Sequence, residues 1–353
     1  MSWPGRSPLF ILDPDPGFSV ATAIRLRVHR AQKTTMNAHR LALLATVATA
    51  IWIIAGWFPS RAYAQQDLLV SARFGNNVLR YAGDTGDPQG QFDMGPPLSN
   101  PAGLALDPDG NVYVANFNTN EVLEYSPDGT FLGVFASSAD GFGFPLALRF
   151  GPDDNLYVTS NLTPGVYEFS GLTGDFIGVF ASGGGLSGAT GLAFLPGGDL
   201  LVSSAQTNQL LRYDGITGSF IGPFGTGVAL NNPTDLQIGP DCNLYVSNTL
   251  SNQILQYNLV TEEGSVFASS GLSRPIGLTF DAVGNLYVAN QLANNVLWFA
   301  PNGTALGEFV PAGSGGLNGP DYLVFTAVPS PRSSPHWDNR LRASGHAREA
   351  DVH

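Results

Sequence analysis

Residues 101–116 read Pro101-Ala-Gly-Leu-Ala-Leu-Asp-Pro-Asp-Gly-Asn-Val-Tyr-Val-Ala-Asn116, and the pattern returns along the chain. It recurs from Pro145 as Pro-Leu-Ala-Leu-Arg-Phe-Gly-Pro-Asp-Asp-Asn-Leu-Tyr-Val-Thr-Ser, then from Ala189, Pro233 and Pro275, with a fragment from Pro320. Successive starts lie 44, 44, 44, 42 and 45 residues apart. Self-similarity at a fixed period of this size marks a repeat architecture. Each unit holds four short apolar runs, in the first case 103–106, 111–115, 122–125 and 131–135. Between them stand Asp107-Pro-Asp-Gly110, a turn marked by Asn120, and Ser126-Pro-Asp-Gly129. Turn residues at fixed offsets between alternating apolar runs are hairpin signals. Four antiparallel strands in 42–45 residues, tandemly repeated, predict the blade of an all-β β-propeller.

The phase of the repeats predicts how the ring closes. Asp67-Leu-Leu-Val70 matches the later part of the unit, 44 residues before Val114, and lacks a first strand. Pro320-Asp-Tyr-Leu-Val-Phe325 has only a first strand. The two fragments complete each other, so the expectation is six four-stranded blades, with the C-terminal strand completing the first. Such closure leaves no open seam and no long exposed edge at the joint. Leu104, Leu148, Leu192, Leu236, Leu278 and Leu323 recur on the first strand. Side chains two apart share a face, so these and the bulky residues two further on are expected to pack on the next blade. An aromatic ends the third strand of every unit (Tyr81, Tyr125, Phe169, Tyr213, Tyr257, Phe299), and we assign these to the core between blades.

The repeat unit, Pro-x-Gly-Leu-Ala-Leu-Asp-Pro-Asp-Gly-Asn-Val-Tyr-Val-Ala-Asn followed by Asn120 and Val122, resembles the NHL repeat. The resemblance covers about residues 67–327 and implies a six-bladed propeller. It also implies a choice of functions, because NHL-type propellers include binding modules and related propellers include metal-dependent lactonases and lyases. Fold does not settle function. The gluconolactonase-like propellers carry a Glu, Asn and Asp set around a divalent metal, and no Glu of residues 65–328 matches that position. Glu124 and Glu168 read as outward surface residues. The virginiamycin-B-lyase-like propellers rely on His, and all five His of this chain (29, 39, 336, 346, 353) lie outside the repeats.

Composition narrows the chemistry further. The chain has 353 residues, 43% hydrophobic and 12% charged, which is globular rather than disordered. Residues 65–328 hold five Arg, no Lys and 23 acidic residues, a net charge of −18. Such a domain is a poor match for nucleic acid or an anionic membrane, which call for Lys and Arg. Without His or Lys it also lacks Ser-His-Asp chemistry, His-ligated metal and a Schiff-base nucleophile. The one cysteine, Cys242, falls at a turn and has no intramolecular partner.

The N-terminal region reads as a targeting segment. Residues 41–58 carry no charge, follow His39 and Arg40, and are followed by Ala62-Tyr63-Ala64. This is the pattern of a secretory signal peptide with an Ala-x-Ala cleavage site. Residues 36–64 are therefore expected to be the signal peptide, cleaved after Ala64, and residues 1–35 an upstream extension without a role. The protein is expected to be secreted or periplasmic, with no membrane span in the mature chain. Residues 329–353 read as an irregular tail.

Two sets of positions are candidates for ligand binding. Just past the second strand stand Asn116, Ser160, Ser204, Asn248 and Asn290. Amides and hydroxyls there suit a polyol, a sugar or an oxygen-coordinated cation such as calcium, and they suit equally well hydrogen bonds to backbone at strand ends. Arg149, Asp235 and Asp321 break the pattern of their columns on the first strand, which lies nearest the axis of a propeller. They are candidate channel residues for an asymmetric ligand. Asn76, Asn120, Asn208, Asn252 and Asn294 read as turn residues, and Asp107-Pro-Asp-Gly-Asn reads as a β-turn. The expected function is a binding module for an extracellular glycan, peptide or protein, monomeric and without a cofactor. The alternative is a divalent-metal-dependent hydrolase or lyase of the gluconolactonase-like type, with calcium or another divalent cation in the channel.

Overall fold

The computed structural model describes residues 66–326. The expected signal peptide, the N-terminal extension and the C-terminal tail lie outside the described residues. The chain forms six antiparallel sheets of four strands each. Blade 2 shows the pattern, with strands Pro101–Leu106, Val112–Asn116, Glu121–Tyr125 and Phe131–Ser137. These match the apolar runs of the sequence to within one or two residues. Blades 3 to 6 occupy residues 145–181, 189–224, 233–268 and 275–310. The innermost strand of each blade packs on that of the next, and blade 1 on blade 2, so the ring is closed. The fold is a six-bladed β-propeller.

Blade 1 is the composite one. Its order is Pro320–Phe325, Asp67–Ala72, Asn77–Ala82 and Pro88–Gln91. The joint pairs Leu68 with Phe325, Leu69 with Val324 and Val70 with Leu323. The Asp67 amide donates to Thr326 Oγ1 at 2.9 Å, and the Thr326 amide donates to the Asp67 carbonyl at 2.8 Å. The two ends of the described chain thus clasp each other, as the phase of the repeats requires.

Two aromatic columns fill the space between blades. The expected column (Tyr81, Tyr125, Phe169, Tyr213, Tyr257, Phe299) is fully buried. The second column is the Tyr of the second strand. Tyr113 stands edge-on to Phe135 of its own blade at 4.9 Å and to Phe150 of the next at 5.1 Å. Tyr157, Tyr245 and Tyr287 repeat this triad with Phe180 and Phe194, Phe267 and Phe280, and Phe309 and Phe325. Edge-to-face packing sets the positive ring edge against the negative face, which adds to the area buried. Each tyrosine hydroxyl donates to the aspartate of a first-to-second-strand turn, as Tyr245 does to Asp241 at 2.9 Å. Glu124 departs from the expected surface position: it is buried and accepts from Tyr113 at 3.1 Å.

The turns behave as their residues dictate. Asp107 Oδ1 accepts the amides of Asp109 and Asn111, which folds the Asp-Pro-Asp-Gly turn on its own side chain. Asn76, Asn120, Asn208, Asn252 and Asn294 adopt left-handed backbone, φ 53–58°. Each side-chain oxygen then accepts the amide just before the next innermost strand, for example Asn100 and Asn232. One residue type thus makes the hairpin and ties adjacent blades. Among the described residues the helices are four three-residue 3-10 turns, and none is long and apolar enough to cross a membrane.

Candidate functional site

The innermost strands run close together because every other blade has glycine at the third position. Gly103, Gly191 and Gly277 alternate around the ring with Ala147, Asp235 and Tyr322. A Cβ on Gly191 would lie 2.1 Å from the Thr234 carbonyl oxygen, so only glycine fits there. Two of the three alternating side chains fill the bore. Tyr322 is buried and its hydroxyl donates to the Thr190 carbonyl at 3.3 Å, from blade 1 across to blade 4. Asp235 accepts the amides of Leu236 at 2.9 Å and Leu278 at 2.8 Å, bridging blades 5 and 6. Arg149 donates to the Leu236 carbonyl at 3.1 Å, from blade 3 to blade 5. The channel is therefore plugged rather than open.

Burial pushes the Asp235 carboxyl up to about 6, against the opposing effects of the Arg149 charge and the two backbone amides. Burial likewise raises Asp321, opposed by Arg73 and Arg274. The charges of Arg149 and Asp321 thus both act on Asp235, in opposite directions. The sequence reading missed Tyr322, although its column of Gly, Ala and Asp showed the break as plainly as Asp235 did.

Above the plug opens a cavity of about 480 Å³. It lies at the end where the innermost strands begin, and its rim comes from the loops between second and third strands. Asp321 stands in its wall and is almost completely buried. Arg73 donates to Asp321 Oδ2 at 2.9 Å, and Gln291 donates to Oδ1 at 3.0 Å. Arg73 also donates from Nε to Asn100 Oδ1. Its guanidinium lies over the Phe117 ring, 4.4 Å from the centroid, and Phe117 stacks on Phe144 at 4.8 Å with 13° between planes. Arg274 stands on the rim, exposed, with no hydrogen bond or ion pair from its guanidinium among the described residues. Leu146, Ile276 and the exposed Leu292 supply apolar wall.

The ring of Asn116, Ser160, Ser204, Asn248 and Asn290 takes a different place. All five are buried and none lines this cavity. Each accepts the backbone amide 17 residues upstream: Ser99, Gly143, Ser187, Asn231 and Ser273. Ser160, Ser204, Asn248 and Asn290 also donate back to carbonyls of the same incoming loop. The geometry is that of a brace holding the loop that enters each innermost strand. Cys242 is exposed in a turn with φ 60°.

A stretch of the chain, residues 76–161, matches the family model described as the SMP-30/gluconolactonase/LRE-like region. No curated protein sequence matches the chain. Among solved structures, the nidogen/laminin complex includes a chain with TM-score 0.62 and 16% identity, covering 75% of this chain and 100% of that one. A protein of unknown function from Bacteroides caccae gives TM-score 0.59 at 14% identity, covering 74% and 99%. A catalytically inactive virginiamycin B lyase from Staphylococcus aureus, solved with quinupristin, gives 0.51 at 16%, covering 64% and 77%. The likeness is one of fold.

The donor set tests the divalent metal that the gluconolactonase-like match suggests. Among the described residues no three of His, Cys, Asp and Glu come together. Asp321 is the one acid in the cavity wall, and both its oxygens are taken by Arg73 and Gln291. Two arginines beside it add repulsion for a cation. Divalent calcium takes six to eight oxygens, and these residues do not fit it.

Proposed function

We propose that the protein is an extracytoplasmic binding module, secreted or periplasmic, that holds its glycan, peptide or protein partner at the mouth of the propeller. The observation that carries this reading is the mouth cavity itself. Its wall is asymmetric, with the Arg73–Asp321 pair, the Phe117 ring and the Leu146 and Ile276 side chains brought from four blades. Ring packing has no use for such differences between equivalent positions, whereas recognition of an asymmetric ligand does. The one acid in the same wall, Asp321, has its oxygens engaged by Arg73 and Gln291, which disfavours a free general base there. A rigid ring with loops at one mouth is also a common platform for binding residues. The NHL-type reading and a monomeric state belong to the same proposal.

The test is an array of glycans and peptides probed with the full chain and with a Phe117→Ala, Leu292→Ala variant. Binding lost in the variant, with its thermal midpoint kept, is the expected result. Binding untouched by the variant would move the site off the mouth. Turnover of lactones or esters that depends on added manganese or calcium would replace the module by the hydrolase.

A further inference from the structure

Residues 65–328 have only five arginines against 23 acids. Two of the five are used on the outside: Arg80 pairs with Asp67 at 3.7 Å, and Arg212 with Asp199 and Glu262 at 2.6 and 3.0 Å. The other three are Arg73, Arg149 and Arg274, and all belong to the bore or its mouth. In a strongly acidic domain the mouth cavity has more cations than anions, two arginines to one aspartate. A cleft of one sign with low-dielectric walls focuses its field on the ligand.

The backbone of Arg274 makes the same point independently. The residue before each innermost strand is left-handed: Asn100, Phe144, Gly188, Asn232, Arg274 and Gly319, φ 54–65°. Glycine and asparagine accept this conformation at least cost, and long side chains do not. Arg274 and Phe144 are the exceptions. Arg274 is on the cavity rim, and Phe144 backs the Phe117 ring beneath Arg73. Residues kept in costly backbone conformations cluster at ligand sites.

Arg73 is already positioned. Asp321, Asn100 and Phe117 hold it, and these bonds use two of its five N–H groups. Two guanidiniums, one fixed and one free, suit a carboxylate, which accepts paired N–H donors. Phe117, Leu146, Ile276 and Leu292 suit an apolar group beside it. The floor closes at Tyr322, so the cavity takes the end of a molecule and not the middle of a chain.

Resting on the binding reading above, we infer that the mouth takes an organic carboxylate whose neighbouring group is apolar or aromatic, gripped by Arg274 and Arg73. That chemistry occurs in a free acid and in the carboxyl terminus of a peptide. Calorimetric titration of the full chain tests both. The probes are N-acetyl-phenylalanine, a pentapeptide ending in phenylalanine, and the carboxamide of each. Both acids should bind at least about tenfold tighter than their amides, in line with a charge-assisted pair. A free acid bound and the peptide refused assigns the site to small acids; tighter binding of the peptide assigns it to chain ends. Arg274→Asn should lose the tenfold preference while its thermal midpoint holds or rises, because asparagine suits the left-handed backbone. A merely structural Arg274 would give the opposite pair of results. Equal affinity for acid and amide, or no binding of either acid, overturns the inference. A neutral oligosaccharide that binds, is lost in Phe117→Ala and ignores Arg274→Asn would overturn the carboxylate and leave the binding module standing.

Discussion

Single side chains in this ring have either a packing duty or a polar one, and both duties make quantitative expectations. Asn248 accepts the Asn231 amide and donates to the Ala229 carbonyl while completely buried. Asn248→Ala removes both bonds, whose backbone partners belong to exposed loop residues that water reaches, at a total cost of about 1–3 kcal/mol. Urea unfolding should show a loss in that range; a loss below about 0.5 kcal/mol would contradict the brace. Asp235 makes an expectation about pH. Its carboxyl is held near 6 in the fold, above the usual carboxylate value of 3.8. Between these values the folded protein holds more protons than the unfolded chain. The Asp235 contribution to stability is therefore present at pH 4 and falls as pH rises toward 6, by roughly 3 kcal/mol. Asp235→Asn removes that dependence. At pH 4 the group is the neutral acid, whose hydroxyl oxygen keeps an acceptor capacity that the asparagine NH2 lacks, so the amide of Leu236 or Leu278 loses its partner and the variant starts less stable there. The gap to the parent should narrow by pH 7, and a constant gap would contradict the account.

Strands and turns were largely legible before the structure, and the reasons are local. Asp107-Pro-Asp-Gly110 folds on the Asp107 carboxylate, which needs nothing from the rest of the molecule. Asn120 turns left-handed because asparagine tolerates it. The mouth was less legible. Arg149, Asp235 and Asp321 stood out by breaking repeat columns, and the structure places them on the bore or in the wall of its mouth. Arg73 and Phe117 come from loops outside the aligned strands, and the column that Arg274 breaks, the residue before each innermost strand, is recognised only by the left-handed backbone its members share. Asn248 and its equivalents show the opposite difficulty. An amide at a strand end serves a ligand or a backbone amide equally well, and only the burial and the fixed offset of 17 residues distinguish the two. The closing strand makes the prediction at this scale. Ending the chain after residue 328 should leave the thermal midpoint nearly unchanged. Ending it after residue 319 removes Tyr322, Leu323 and Phe325 from the core and the plug, and should lower the midpoint by at least about 10 °C. Similar midpoints for the two truncations would mean that the ring does not depend on its clasp.

At the scale of the whole molecule, six similar blades make a symmetric scaffold and one mouth makes an asymmetric site. Glycines at Gly103, Gly191 and Gly277 bring the innermost strands together, and Tyr322 and Asp235 occupy what remains of the bore. The result is a dead-ended cavity with an excess of arginine in a domain of net charge −18. The central claim is that this cavity binds an organic ligand and does not hold a divalent metal. The most direct measurement is the thermal midpoint of the full chain in calcium, in EDTA and with millimolar N-acetyl-phenylalanine. Whatever binds the folded state alone raises the midpoint by mass action. The account predicts equal midpoints in calcium and EDTA and a rise with the acid that vanishes in Arg274→Asn. A rise with calcium that EDTA reverses and Asp321→Asn abolishes, with no response to the acid, would contradict it.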